Sequence, residues 1–239
     1  MPYVYKKKRR SRRGKGAKKR SSRRSRNYTR SSGNRAIISG GSIVPVKSKH
    51  LFKYAERITM NPVSGGVGTS YFFSTNSLFD PNRSGLGHQP YGFDQYVGVL
   101  YDHYTVIGSK ITVTAVNRGA VSTDPVIMAI TERDTFTATT NIEHLIEMGN
   151  NTYTFCGVSD GGAGIATLSY NSNPAKFLGR SKPLADSELK GSVSTNPAEE
   201  SFFEIVMAST GTNDPGALDV LVNIEYIAVL TEPKRFTQS

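Results

Sequence analysis

The first 35 residues limit what this chain can fold into more than any other stretch. Between Met1 and Arg35 stand six lysines (Lys6, Lys7, Lys8, Lys15, Lys18, Lys19) and ten arginines (Arg9, Arg10, Arg12, Arg13, Arg20, Arg23, Arg24, Arg26, Arg30, Arg35), with no Asp or Glu among them. The segment therefore carries 16 positive charges. Like charges at this density repel. Apart from Val4, Ala17 and the tyrosines Tyr3, Tyr5 and Tyr28, there is almost nothing to bury against the entropy of ordering the backbone. The expectation is an arm that is disordered in the free protein, so a folded core must come from the rest of the chain.

The natural partner of such an arm is a polyanion. Each Lys or Arg that meets a phosphate releases a condensed counterion, so binding should be strong, independent of sequence and steeply salt-sensitive. All sixteen cations are candidate nucleic-acid-binding residues, and the arginine majority favours bidentate phosphate contacts. A solvated tail is the plainer alternative, but a long block without acids argues against it. A mitochondrial transit peptide needs an apolar face, and residues 6–35 contain no Leu, Ile, Phe or Met. Membrane insertion would need Trp, Phe or Leu, and is not expected. The runs Lys6-Lys7-Lys8-Arg9-Arg10 and Lys18-Lys19-Arg20 also fit a nuclear import signal, with an import receptor as partner.

From Ala36 onward, 14 basic residues face 19 acidic ones, a net charge of −5. About 200 residues are enough for one domain with a substantial core. No apolar run approaches the ~18 residues of a membrane span, and no secretory signal is visible. The lone Cys156 rules out an internal disulfide or a Cys-based zinc site, fits an intracellular, reducing place of synthesis, and reads as a small buried apolar residue.

Residues 1–45 read as arm and Ser/Gly-rich linker, ending near Pro45, and residues 46–239 as one domain. Short β-type segments follow. In Leu51–Met60, Phe52, Tyr54, Ile58 and Met60 share a face opposite Lys53, Arg57 and Thr59, and Glu56 alone interrupts the apolar side. Thr69–Asn76 reads as a second strand. Phe93, Tyr96, Val97, Leu100 and Tyr101 recur at helical spacing, weakened by Gly98. Thr105–Asn117 reads as a strand with Ile107, Ile111, Val113 and Ala115 on one face. Val126–Thr131 reads as a strand buried on both faces. Thr140-Asn141-Ile142-Glu143 matches a capping box, with Gly149 placed to end a short helix. Tyr153–Val158 and Ile165–Tyr170 are two more strands; then comes a long loop, Asn171–Glu200. Phe202–Ser209 and Leu218–Leu230 are the last two, the final one alternating most clearly. Eight strands without a βαβ rhythm predict an all-β fold: a single eight-stranded antiparallel jelly roll of two packed four-stranded sheets with short helical inserts.

Chemistry is hard to find in this sequence. His50, His88, His103 and His144 never stand at metal-ligand spacing with a carboxylate. Gly65-Gly66-Val67-Gly68 and Asp160-Gly161-Gly162-Ala163-Gly164 lack the Lys-Ser/Thr of a phosphate loop and read as turns. Ser169 and Cys156 have no identifiable base. Glu199, Glu200 and Glu204 read as a solvated loop and strand edge. Asp94, Asp102, Asp160 and Asp186 could share a divalent ion between subunits, though no spacing supports it. Aromatics such as Tyr71, Phe72, Phe73, Tyr91, Phe93, Tyr96, Tyr101, Tyr104, Phe202 and Phe203 serve core and interface packing by default, with base stacking by one or two left open. The expectation is a protein that is not an enzyme and needs no cofactor or metal.

Two features together carry a family resemblance: the Arg/Lys-rich start Lys6–Arg35, and a block from His88-Gln89-Pro90-Tyr91-Gly92-Phe93-Asp94-Gln95-Tyr96 through Leu100-Tyr101-Asp102-His103-Tyr104-Thr105-Val106 to Ser109-Lys110-Ile111. Pro174-Ala175-Lys176-Phe177-Leu178-Gly179 is also similar. The chain resembles the capsid proteins of small circular single-stranded DNA viruses, the circoviruses and their relatives that encode a replication initiator. The resemblance implies a homo-oligomeric icosahedral shell of 60 copies, with arms directed inward onto a single-stranded DNA (or RNA) genome. It places the protein in the virion, and in the host nucleus during assembly. Sixty such arms carry enough charge for roughly a thousand phosphates. The loops Leu78–Gln89, Asn117–Pro125 and Asn171–Glu200 would then supply intersubunit contacts and outer surface, with Leu86, Phe177, Leu178 and Leu184 as interface anchors or loop packing. Two rivals stand beside this reading. One is a non-capsid nucleic-acid-binding protein with a β-sandwich body; the other is a cupin- or lectin-like enzyme, which the histidine spacing disfavours.

Overall fold

A computed structural model describes residues 43–117, 124–157 and 164–236. Its strands are β1 (Lys47–Met60), β2 (Thr69–Ser74), β3 (Tyr101–Asn117), β4 (Val126–Arg133), β5 (Asn151–Cys156), β6 (Gly164–Ser172), β7 (Phe202–Ser209) and β8 (Leu218–Pro233). They form two four-stranded sheets, β1-β8-β3-β6 and β2-β7-β4-β5. All pairings are antiparallel. Each sheet interleaves early and late strands, which is the jelly-roll order expected from the strand count.

The core lies between the sheets. Alternate residues of β8 (Leu218, Val220, Val222, Ile224, Tyr226, Ala228 and Leu230) are fully buried. They share one apolar cluster with Phe203, Ile205 and Met207 of β7 and Met128 and Ile130 of β4. Burying each Val, Leu, Ile, Met or Phe side chain among them stabilises by about 1.5–3 kcal/mol. Val44 reaches this cluster, and the Tyr101 hydroxyl donates to the Pro45 carbonyl at 3.0 Å, so the chain is already tied to the body just ahead of β1.

The two sheets treat their outer faces differently. On β2-β7-β4-β5, the short helix α2 (Ile142–Glu147) lays Ile142 and Leu145 against Ala129, Val206 and Ala208. This cover is why β4 and β7 are buried on both faces, as the continuous apolar run Val126–Thr131 predicts. The cap of α2 differs from the expectation. The cap is Asn141 rather than Thr140: still extended, it accepts the His144 amide at 2.9 Å, so Glu143 stands one position too early to close a capping box on it. Gly149 ends the helix at φ 72° as predicted.

Three further differences are local. The expected helix from Phe93 to Tyr101 is cut to α1 (Phe93–Tyr96). Gly98 turns the chain at φ 102°, where a Cβ would sit 2.8 Å from Val193, and Tyr101 already begins β3. Within β3 a bulge at Ile107 shifts the register between Val106 and Gly108. Val106 therefore faces the core before the bulge and Ile111, Val113 and Ala115 after it, while Ile107 is only half-buried. Finally, the long loop after β6 opens with α3 (Pro174–Phe177), where the Asn173 side chain accepts the Lys176 amide at 3.0 Å and Pro174 takes the first turn.

Candidate nucleic-acid and assembly surfaces

The arm cations Lys6 to Arg35, including the import runs Lys6–Arg10 and Lys18–Arg20, lie outside the described residues, as do Asp160 and most of the Asn117–Pro125 loop. The site that can be built is the body to which they are joined.

Strand β1 alternates strictly, and its outward residues are Lys47, Lys49, Leu51, Lys53, Ala55, Arg57 and Thr59. Register extends these into rows across the sheet. Lys53 stands beside Glu225, which stands beside Lys110. Arg57 leads to Leu221, Thr114 and Thr167, and Ala55 to Asn223, Thr112 and Ser169. Hydroxyl pairs continue the surface on β3 and β6, Thr112 with Ser169 and Thr114 with Thr167, each at 3.0 Å. One carboxylate, Glu225, is paired with Lys53 at 3.1 Å, and a second acid, Asp219, stands one row further on, between Thr59 and Val116. Beside the start of β1, Glu232 is paired with Lys190 at 3.0 Å and lies 3.4 Å from the His103 ring, and Asp102 is paired with Lys234 at 3.4 Å.

One tyrosine of β3 touches both long loops. Buried Tyr104 accepts the amides of Leu78 (3.1 Å) and Phe79 (3.2 Å) at its hydroxyl, with Ser77 at 3.3 Å. Its backbone exchanges two hydrogen bonds with Gly191, at 2.9 and 3.0 Å. Any side chain at Gly191 would collide with the ring. Tyr104 therefore pins the loops 78–89 and 171–200 to the same point of β3. Beyond that pin, Leu86 is fully exposed and Phe177 is exposed, whereas Leu178 and Leu184 are half-buried.

Buried carboxylates fasten the other sheet. Glu204 has no exposed side-chain surface. It accepts from Ser70 Oγ (2.8 Å), the Thr139 amide (2.6 Å), Thr139 Oγ1 (2.9 Å) and Arg133 (3.3 Å). The solvated strand edge expected for it is corrected: β7 is a central strand, and Glu204 clasps the 134–140 loop to β2. Glu132 is buried too, accepting from Ser172 Oγ at 2.6 Å and Ser201 Oγ at 3.1 Å, and burial pushes its carboxyl above the usual range. Glu200 is likewise raised by burial, an effect opposed by Arg83 at 3.6 Å.

Among the described residues, no group of three or more His, Cys, Asp or Glu could hold a metal ion. His50 packs its ring 4.5 Å from Tyr96, and burial lowers its pKa. His88 lies between the Ala55 and Gln89 carbonyls, and His144 is exposed on α2. Asp186 pairs with Arg180 at 3.5 Å and Asp102 with Lys234, so Asp94, Asp102 and Asp186 do not come together. Cys156 is fully buried and burial pushes its thiol up, which disfavours the reactive thiolate. Phe72, Phe73, Phe93, Tyr101, Tyr104, Phe202 and Phe203 are buried as packing residues, while Tyr91 and Tyr96 stay exposed.

No protein-family model and no curated protein matches the chain. Several solved structures are similar to it. A desmodium yellow mottle tymovirus structure is 14% identical, with 86% of this chain and 99% of that chain covered and a TM-score of 0.38. Turnip yellow mosaic virus at 100 K gives 8%, 80%, 96% and 0.41. The 60-mer BFDV capsid protein gives 8%, 81%, 97% and 0.44. Likeness at this level carries no argument about function, which rests on the residues of the chain itself.

Proposed function

We propose that this chain is a viral capsid subunit that self-assembles into an icosahedral shell and packages a single-stranded DNA genome through its basic N-terminal arm. The observation that carries the reading is the union in one chain of two parts. One is an acid-free arm of 16 cations; the other is a jelly roll whose described residues are net negative and offer no metal-binding cluster. Residues 1–45 are the packaging arm and linker, and residues 46–239 the shell domain. Sixty copies place enough charge inside to neutralise roughly a thousand phosphates. The runs Lys6–Arg10 and Lys18–Arg20 take the protein to the host nucleus.

Electron microscopy of the full chain near physiological salt tests this directly. Closed, uniform spheres are expected, and deleting residues 1–35, which removes 16 cations, should leave the body folded with most of its DNA lost. A field of monomers or small oligomers that persists after single-stranded DNA is added would overturn the capsid reading. The basic outer face of β1 would then favour the alternative, a nucleic-acid-binding protein with a β-sandwich body. Nuclear import has its own readout: Arg9→Glu with Arg10→Glu should lower nuclear accumulation of a reporter fusion, and unchanged accumulation counts against that role.

A further inference from the structure

The folded body's net charge hides how unevenly that charge is placed. Of the 13 Lys and Arg among the described residues, five (Lys47, Lys49, Lys53, Arg57 and Lys110) lie on the outer face of β1-β8-β3-β6, against two of the 18 Asp and Glu. That face is net +3 and the rest of the described body net −8. Only Lys53 is paired there, so Lys47, Lys49, Arg57 and Lys110 present unmatched cations beside the hydroxyls of Thr112, Thr114, Thr167 and Ser169. Alternate strand residues are ~7 Å apart on one face. Lys47 and Lys49 thus make a short line of charge rather than a point, and Arg57 extends its direction along the same strand. In the interval the exposed Leu51 stands directly opposite Ile227, a small apolar platform flanked by cations.

We infer that this sheet face is a second nucleic-acid-binding site, built into the folded domain, which takes the phosphate backbone of a single strand. The inference rests on the packaging reading and deepens it: the arm is not the whole of the contact. Charge complementarity selects the occupant. A polyanion meets four unmatched cations and hydrogen-bond donors on a sheet face with few acids. Lys and Arg supply the electrostatic contact, threonine and serine hydroxyls donate to phosphate oxygens, and neither reads base sequence.

The test uses the full chain and an oligothymidine single strand, with affinity measured across a salt series. Replacing Lys47, Lys49, Arg57 and Lys110 with Gln should flatten the slope of log affinity against log salt by about 2.8, at about 0.7 per lost phosphate contact. Glu143→Gln with Glu147→Gln, which removes two charges from α2 on the opposite sheet, should leave the slope unchanged. In the wild-type protein, bound oligonucleotide should protect Lys47, Lys49 and Lys110 from acetylation. An unchanged slope in the quadruple variant, or an equal response to the α2 variant, overturns the inference while leaving the packaging arm intact. A changed oligomeric state with an unchanged slope overturns it too, assigning the face to a second copy of the chain. Absence of salt-sensitive binding in the wild type defeats the packaging reading itself.

Discussion

The two sheets of this jelly roll show opposite ways of finishing an outer face. The face of β2-β7-β4-β5 is closed by α2, whose Ile142 and Leu145 complete a small second core over Ala129, Val206 and Ala208. The face of β1-β8-β3-β6 is left open along β1, where lysines and an arginine alternate with core residues such as Phe52 and Tyr54. One face is spent on stability and the other remains available for contact. An internal polar clasp accompanies the closed face, and a field of unmatched charge the open one.

The clasp offers the sharpest way to break this contrast. Glu204→Ala should destabilise by about 2–4 kcal/mol, since it removes from a fully buried place the acceptor for Ser70, Thr139 and the partly exposed Arg133. Chemical denaturation measures it, and a loss under about 1 kcal/mol would mean the 134–140 loop stands without its anchor. Next comes a matched pair of truncations. Leu145→Ala, in the covered face, should cost about 2–4 kcal/mol. Leu221→Ala, on the open face, should stay within about 0.5 kcal/mol. Equal losses would erase the distinction between the faces.

The smallest effect is one of pH. Glu132 and Glu200 hold their protons above the usual carboxylate range because burial disfavours the charged form. The folded state therefore binds more protons than the unfolded one between the ordinary carboxylate pKa and the raised values. Stability should fall as pH rises through that window and then level off. Glu132→Gln with Glu200→Gln should flatten the profile of thermal midpoint against pH there; an identical profile would remove these two groups as its source.

Local pattern made much of the fold legible. The alternation in β1 and β8 is nearly complete, and β7 spans Phe202–Ser209 as read from its apolar residues. What escaped depends on partners distant in sequence. The bulge at Ile107 is a shift of β3 against β8, a strand more than a hundred residues away, and nothing near Ile107 announces it. Glu204 reads as an ordinary polar residue until Thr139 and Arg133 are brought to it, 65 and 71 residues away. α3 did leave a signal, Asn173-Pro174, the usual opening of a helix. The basic face was half visible: Lys53 and Arg57 stand out by periodicity, but Lys110 joins them only through Glu225.

Strand β1 is also the edge of its sheet, 14 residues long, and the side of its backbone away from β8 is met at Lys53 O by the Tyr91 amide (3.3 Å) and at Ala55 O by the His88 ring (3.1 Å), which leaves the start of the strand as its open rim. Such a rim invites another chain to add a strand, and repeated cations along it discourage that approach between copies. Neutralisation by a bound polyanion would lift this mutual repulsion. The same lysines would then serve as a timing device, holding edges apart while the protein is dilute and bare, and letting neighbours draw close once a strand of nucleic acid lies between them.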